Sequence, residues 1–136
     1  MTEIDSFEAL LQAAREQPQP QRLLFVFVQT VLPKDADAAQ AQRFEAGHGG
    51  GLTPVMYVDK HEDELTDFAG LVEESRQMTE KWDIVLIGCM SGSSGLAPTP
   101  EAADEPIKTM VRTIHTGGNL GQFASFDRQG RPVLFE

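Results

Sequence analysis

Apolar residues along this chain occur either in short continuous runs or at helical spacing. The runs Leu23–Val31, Val55–Val58 and Asp83–Gly88 are rich in β-branched residues and leucine, and each ends at or near a Pro, Asp or Gly. Such runs predict strands that are buried on both faces of a sheet. Because sheets of this kind are usually parallel, we expect the loops after these strands to meet at one edge.

Helically spaced apolar residues predict about four helices around these strands. Asp5 with Glu8, and Asp59 with Glu62, match capping boxes at two helix starts, and Gly47 marks a helix end. The predicted helices run from Asp5 to just before Pro18, from Asp35 to Ala46, from Asp59 through Val72, and from Glu101 to Gly117.

The end of the chain predicts a β-hairpin. Apolar segments at 123–126 and 132–135 flank Asp127-Arg128-Gln129-Gly130, a turn with Asp first and Gly fourth. The whole pattern predicts one α/β domain over residues 1–136, with a mixed sheet of about five strands, about four flanking helices and a C-terminal β-hairpin.

Composition and charge narrow the range of partners. Of the 136 residues, 40% are hydrophobic and 24% are charged, which is typical of a globular domain. The formal net charge of -10 lacks the positive surface that a nucleic-acid backbone or an anionic membrane requires. We therefore expect no nucleic-acid partner and no membrane partner.

Cysteine and histidine usage bears on compartment and cofactors. Cys89 is the only cysteine, so no internal disulfide forms, and residues 1–5 lack the basic and apolar regions of an export signal. Both features predict a cytoplasmic setting. The three histidines are dispersed and lack the His-Glu-x-x-His spacing, so we expect no metal and no cofactor.

Candidate ligand-binding residues lie in the loops predicted after the strands and in the glycine run at 47–51. His48-Gly49-Gly50-Gly51 matches the pattern that supplies oxyanion-hole amides in lipases, but no Gly-x-Ser-x-Gly accompanies it. The segment Gly88–Gly95 follows a strand as a phosphate loop does, but lacks the Gly-Lys-Ser/Thr of that loop. The candidate ligand-binding residues are Asp59, His61, Cys89, Ser91, Ser93 and His48.

Three functions stay open on this basis. The leading hypothesis is a non-enzymatic cytoplasmic binding or accessory domain that acts through a partner protein or a small ligand, because the fold signals are intact and a catalytic set is missing. The first alternative is a small enzyme with its site between the Gly47–Gly51 and Gly88–Gly95 loops. The second is a structural homo-oligomer joined through sheet edges or helix faces.

Several segments carry a resemblance that covers most of the chain. They are Leu24–Phe27, Arg43–Gly47 with Leu52–Pro54, Val72–Arg76, Trp82–Val85 and Phe126–Val133. Through them the chain resembles a family of small bacterial proteins, some of which carry the name "ribonucleotide reductase subunit alpha". The resemblance implies no activity and no site residue. That enzyme's catalytic subunit needs a radical cysteine and a redox-active cysteine pair, whereas Cys89 stands alone here.

Overall fold

Helices cover both faces of a four-stranded sheet in the computed structural model, which describes residues 6–31, 51–65, 67–78, 81–116 and 118–133. The strands are β1 (Gln21–Val31), β2 (Gly51–His61), β3 (Ile84–Ser91) and β4 (Ala124–Asp127), in the spatial order β2-β1-β3-β4. The helices in these ranges are α1 (Phe7–Arg15), α2 (Phe68–Arg76) and α3 (Pro100–Thr116). None of them is long and apolar enough to cross a bilayer.

The central strand β1 explains the longest apolar run in the sequence. Its odd-numbered residues from Leu23 to Phe27 pack with α1 and α2 on one face of the sheet. Its even-numbered residues from Leu24 to Val28 pack against α3 on the other. Alternate side chains of a strand point to opposite faces, so a strand covered on both faces needs an uninterrupted apolar run.

The predicted α/β class is confirmed, but the predicted mixed sheet with parallel strands is wrong. β1 is antiparallel to both β2 and β3, and β3 is antiparallel to β4. Burial on both faces requires helices on both faces, and it does not fix the direction of the strands. Because β2 and β3 are both antiparallel to β1, they run in the same direction, and their carboxyl ends lie at the same end of the sheet.

The number of elements also differs from the prediction. The described residues contain four strands and three helices, against the five and four expected. The helix predicted from Asp35 to Ala46 lies outside the described residues. At the C-terminal end the predicted turn is present, since the Gly130 N–H donates to the Asp127 carbonyl at 3.0 Å. The returning chain pairs through a single bridge, Phe126 with Pro132, and residues 134–136 lie outside the described part.

Two predicted helix starts are displaced. The cap of α1 is Ser6, whose Oγ accepts the Ala9 N–H at 3.1 Å. Asp59 does not begin a helix, because β2 continues to His61 and a 3₁₀ turn follows at Glu62–Glu64. The helix α2 begins later, after its N-cap Asp67.

Candidate functional site

Five of the six predicted site residues lie at or just beyond the carboxyl ends of β2 and β3, which are at the same end of the sheet. Asp59 and His61 end β2, whereas Cys89 and Ser91 end β3. β1 lies between the two groups. Since neighbouring strands are about 4.8 Å apart, the groups are separated by about 10 Å. The sixth residue, His48, lies outside the described residues.

Asp59 forms an ion pair with Arg22 of the neighbouring strand β1. Both Nε and Nη2 of Arg22 lie 2.6 Å from its Oδ2. The Arg22 side chain is only 10% exposed and that of Asp59 is 25% exposed. A buried guanidinium needs this carboxylate as its partner, so Asp59 has a structural role.

His61 caps the 3₁₀ turn that follows β2. Its Nδ1 accepts the Asp63 N–H at 3.0 Å, and its own N–H donates to Oε1 of Glu64 at 3.1 Å. An accepting Nδ1 requires the ring proton to be on Nε2. The ring is thereby oriented by local backbone contacts.

Ser91 and Ser93 hold the end of β3 in place. The Ser91 Oγ accepts from Nε2 of the buried Gln21 at 2.8 Å. Ser93 and Leu96 exchange backbone hydrogen bonds of 3.0 and 2.9 Å around Ser94 and Gly95, which have φ of 53° and 79°. Positive φ at both central residues is the geometry of a type I′ turn. The segment predicted as a loop is therefore the end of a strand followed by a tight turn.

Cys89 carries an exposed but weakly ionising thiol. It pairs with Leu23 of β1, so strand alternation directs its side chain to the face of α1 and α2. Although the residue is exposed, the surrounding sheet desolvates the sulfur and raises the pKa of the Cys89 thiol. The thiol is therefore protonated at neutral pH, which does not favour a nucleophile.

A cleft of about 470 Å³ lies between β3 and α3. It exists because α3 packs mainly over β1 and β2, which leaves the second half of β3 only partly covered on that face. Its walls include Gly88, Met90, Glu105, Thr109, Met110 and Phe123. We call this space the β3–α3 cleft.

The chemistry of the β3–α3 cleft favours neutral or cationic ligands. The surfaces of Met90, Met110 and Phe123 are apolar, and Thr109 adds a hydroxyl. Glu105 is the only charged residue on its walls among the described residues. Lys108 is not on these walls, but its Nζ lies 3.8 Å from Oε1 of Glu105. An anionic group such as a phosphate would meet the Glu105 carboxylate on the wall itself.

The sequence analysis included Cys89 and the segment that begins at Gly88, both of which border the β3–α3 cleft, but it missed the contribution of α3. The available signal was Gly88 itself, since a glycine inside an apolar strand often marks a close approach by another group. An ideal Cβ on Gly88 would lie 3.3 Å from Sδ of Met110 and 3.9 Å from Cδ1 of Phe123. The contact of α3 with this strand depends on helix placement, which the local pattern does not specify.

A larger groove of about 660 Å³ borders α2 and the turn after β4. Its charged residues already have partners inside the protein. Glu8 accepts the Phe68 N–H at 2.9 Å and so caps α2, and the guanidinium of Arg128 lies 5.4 Å from the centre of the Trp82 ring. The β3–α3 cleft has fewer charged and more apolar residues on its walls, so it is the better candidate for a ligand site despite its smaller volume.

Metal chemistry has no visible support in the described ranges, where no group of at least three His, Cys, Asp or Glu side chains could hold an ion. The chain matches no protein-family model, no curated protein and no solved structure.

Proposed function

We propose that this protein is a non-enzymatic binding domain whose ligand occupies the β3–α3 cleft. The observation that carries the proposal is an apolar cleft beside Gly88 with no reactive pair on its described walls. No histidine lies on the described walls, and although Cys89 borders the cleft, strand alternation directs its thiol to the opposite face of the sheet. Such walls suit binding by burial of apolar surface.

The ligand class follows from the charges around the cleft. With Glu105 on one wall and a net charge of -10 on the chain, the ligand is neutral or cationic and largely apolar. Nucleic acids and anionic membranes do not fit that description. A cytoplasmic setting belongs to the same proposal, because the lone Cys89 suits a reducing compartment.

The alternative of a small enzyme is less well supported. Gly51 pairs with Val31 at one end of β1, whereas Gly88 pairs with Leu24 seven residues away. At about 3.3 Å per residue, that separation is about 23 Å along the strand. A site that includes both Gly51 and Gly88 has to span this distance, and residues 47–50 lie outside the described part of the chain.

A fragment screen followed by NMR tests the proposal. Neutral and cationic apolar fragments should raise the melting temperature and shift the amide signals of Gly88–Met90 and Glu105–Thr113, whereas phosphate-bearing fragments should not. A fragment at about 100 times its Kd adds about 2.7 kcal/mol of stability. Hits that map outside the cleft, or hits dominated by phosphates, contradict the proposal.

A pair of tryptophan variants provides the control. Thr109 is exposed on α3 and borders the cleft, so Thr109→Trp fills the cleft without entering the core. Thr116 is exposed at the end of the same helix and does not border the cleft. We expect Thr109→Trp to abolish fragment binding and Thr116→Trp to preserve it.

A further inference from the structure

We propose that the ligand of the β3–α3 cleft is an extended peptide segment of a partner protein, which adds to β3 as a new strand. This inference rests on the proposed function and names its ligand class. The supporting features are an incomplete backbone ladder on β3, a cleft directly beside it, and the charge of the cleft wall.

β3 has a strand partner along only part of one side. It pairs with β1 from Ile84 to Ser91, but with β4 only as far as Ile87, which is opposite Ala124. The chain before β4 forms a 3₁₀ turn at Leu120–Gln122 and does not extend the strand, although Gln122 and Phe123 border the cleft beside Gly88. Among the described residues, no backbone hydrogen bond continues the ladder beside Gly88–Ser91 on that side.

The direction of the free backbone groups follows from the ladder itself. The Gly92 N–H donates to the Pro20 carbonyl of the chain before β1 at 2.8 Å. Successive residues of an antiparallel strand alternate in the side to which their N–H and C=O point. Even-numbered residues such as Gly88 therefore bond to β1, whereas Cys89 and Ser91 direct their backbone groups to the open side. Open backbone groups of this kind are a template for another strand.

The cleft lies on the side where such a strand would place its side chains. Gly88 and Met90 face α3, because they pair with Leu24 and Arg22 on the face that α3 covers. Because Gly88 has no side chain, the cleft reaches down to the strand backbone at this position. A strand paired with Cys89 and Ser91 can direct an alternate apolar side chain into the cleft, so the backbone supplies affinity and the cleft supplies specificity.

The negative charge of Glu105 on the cleft wall favours a peptide that carries a basic residue. Glu105 has Nζ of Lys108 3.8 Å from its Oε1, but its side chain is 81% exposed and can also bind a Lys or Arg of the incoming segment. A second copy of this chain is a poorer occupant, because two molecules of net charge -10 repel each other. The edge of β2 is also less suited to pairing, since Pro54 interrupts it and proline blunts edge strands.

An array of heptapeptides tests the inference. We expect binders that alternate apolar and polar residues and carry a basic residue. Their binding should slow hydrogen exchange at the Cys89 and Ser91 amides. N-methylation along a bound peptide should weaken binding at every second residue, because only alternate amides face β3. Binders that leave both amides unprotected, or an array with no binder tighter than about 1 mM, overturn the inference.

Two protein variants sharpen the test. Cys89→Pro removes the outward amide but leaves the bonds to β1, and Cys89→Ala keeps the amide. The loss of peptide affinity in Cys89→Pro should exceed that in Cys89→Ala by at least about tenfold, or about 1.4 kcal/mol. If Cys89→Pro does not fold, Glu105→Lys replaces it, with an expected switch in preference from basic to acidic peptides. An unchanged preference contradicts the inference.

The fragment screen separates the two levels of the argument. Fragments that bind in the cleft while no peptide does overturn the peptide inference and leave the proposed function intact. A cleft that binds neither fragments nor peptides contradicts both.

Discussion

The indole N–H of Trp82 donates a hydrogen bond of 2.9 Å to Oγ of Ser75, and each residue is only 2% exposed. The Ser75 hydroxyl in turn donates to the Val72 carbonyl at 2.6 Å. Trp82 also contacts Phe27 of β1 edge to face, with 5.0 Å between ring centroids. The pair therefore joins α2 to the residues before β3 and orients a large side chain of the core.

Replacing Ser75 should destabilise the fold by leaving the indole N–H without an acceptor. We expect Ser75→Ala to lower the free energy of unfolding by about 1–3 kcal/mol in urea denaturation. Ser125→Ala is the matched control, because the buried Ser125 Oγ has no partner among the described residues. Its effect should be neutral or slightly stabilising. Equal losses in both variants would show that the Trp82 hydrogen bond is not the cause.

The buried ion pair of Arg22 and Asp59 makes a second prediction. Asp59→Asn leaves a guanidinium that is 10% exposed without a charged partner, and we expect a loss of about 3–5 kcal/mol in urea denaturation. The double variant Arg22→Met with Asp59→Leu should lose less than Asp59→Asn alone, because it removes both buried charges. As a control, Asp104→Asn breaks an exposed pair with Lys108 and should leave the denaturation midpoint unchanged. A double variant that is worse than the single one contradicts this account.

The core strands were predictable from the sequence because burial on both faces produces a continuous apolar run. Helix α3 was predictable because its apolar residues repeat at helical spacing. Strand direction was not, since the same run suits either direction. The predicted capping box of Asp59 and Glu62 is not formed, because both side chains bind residues far away in the sequence. Asp59 binds Arg22, and Glu62 accepts the Gln21 N–H at 3.0 Å. The β3–α3 cleft depends on where α3 lies across the sheet, which its own sequence does not specify.

Two glycines lie at the turn after β3, and the fold needs glycine at Gly92 more than at Gly95. A Cβ on Gly92 would collide with the carbonyl oxygen of Leu96, whereas a Cβ on Gly95 would meet nothing within 4 Å. We expect Gly92→Ala to lower the free energy of unfolding by more than about 2 kcal/mol. Gly95→Ala should cost about 1 kcal/mol, which is the cost of φ near +79° for a residue with a Cβ. Thermal or urea denaturation compares the two, and similar losses would refute the collision.

The raised pKa of Cys89 predicts slow alkylation of this thiol. Because the thiolate is the nucleophile, native protein should react with iodoacetamide several-fold more slowly at pH 8 than the same chain unfolded in urea. The difference should narrow as the pH rises, since the residue is exposed and protonation limits the rate. A rate profile from pH 6 to pH 11 measures this. Faster alkylation of the native protein at pH 7 would point to an activated cysteine and favour the enzyme alternative.

The lowered pKa of Asp127 predicts how the stability of the fold changes in acid. Partial burial disfavours its charged form, but hydrogen bonds from the Arg131 N–H, the Arg131 side chain and the Gln129 N–H outweigh that effect and lower the pKa of Asp127. Its contribution to stability is therefore fully present above the unfolded pKa of about 3.9 and is lost as the pH falls through the folded pKa. Urea denaturation of the wild type and Asp127→Asn at several pH values should show a difference that is largest near pH 7 and shrinks below about pH 4. A difference that stays constant down to pH 2 would mean that the charge of Asp127 does not stabilise the turn.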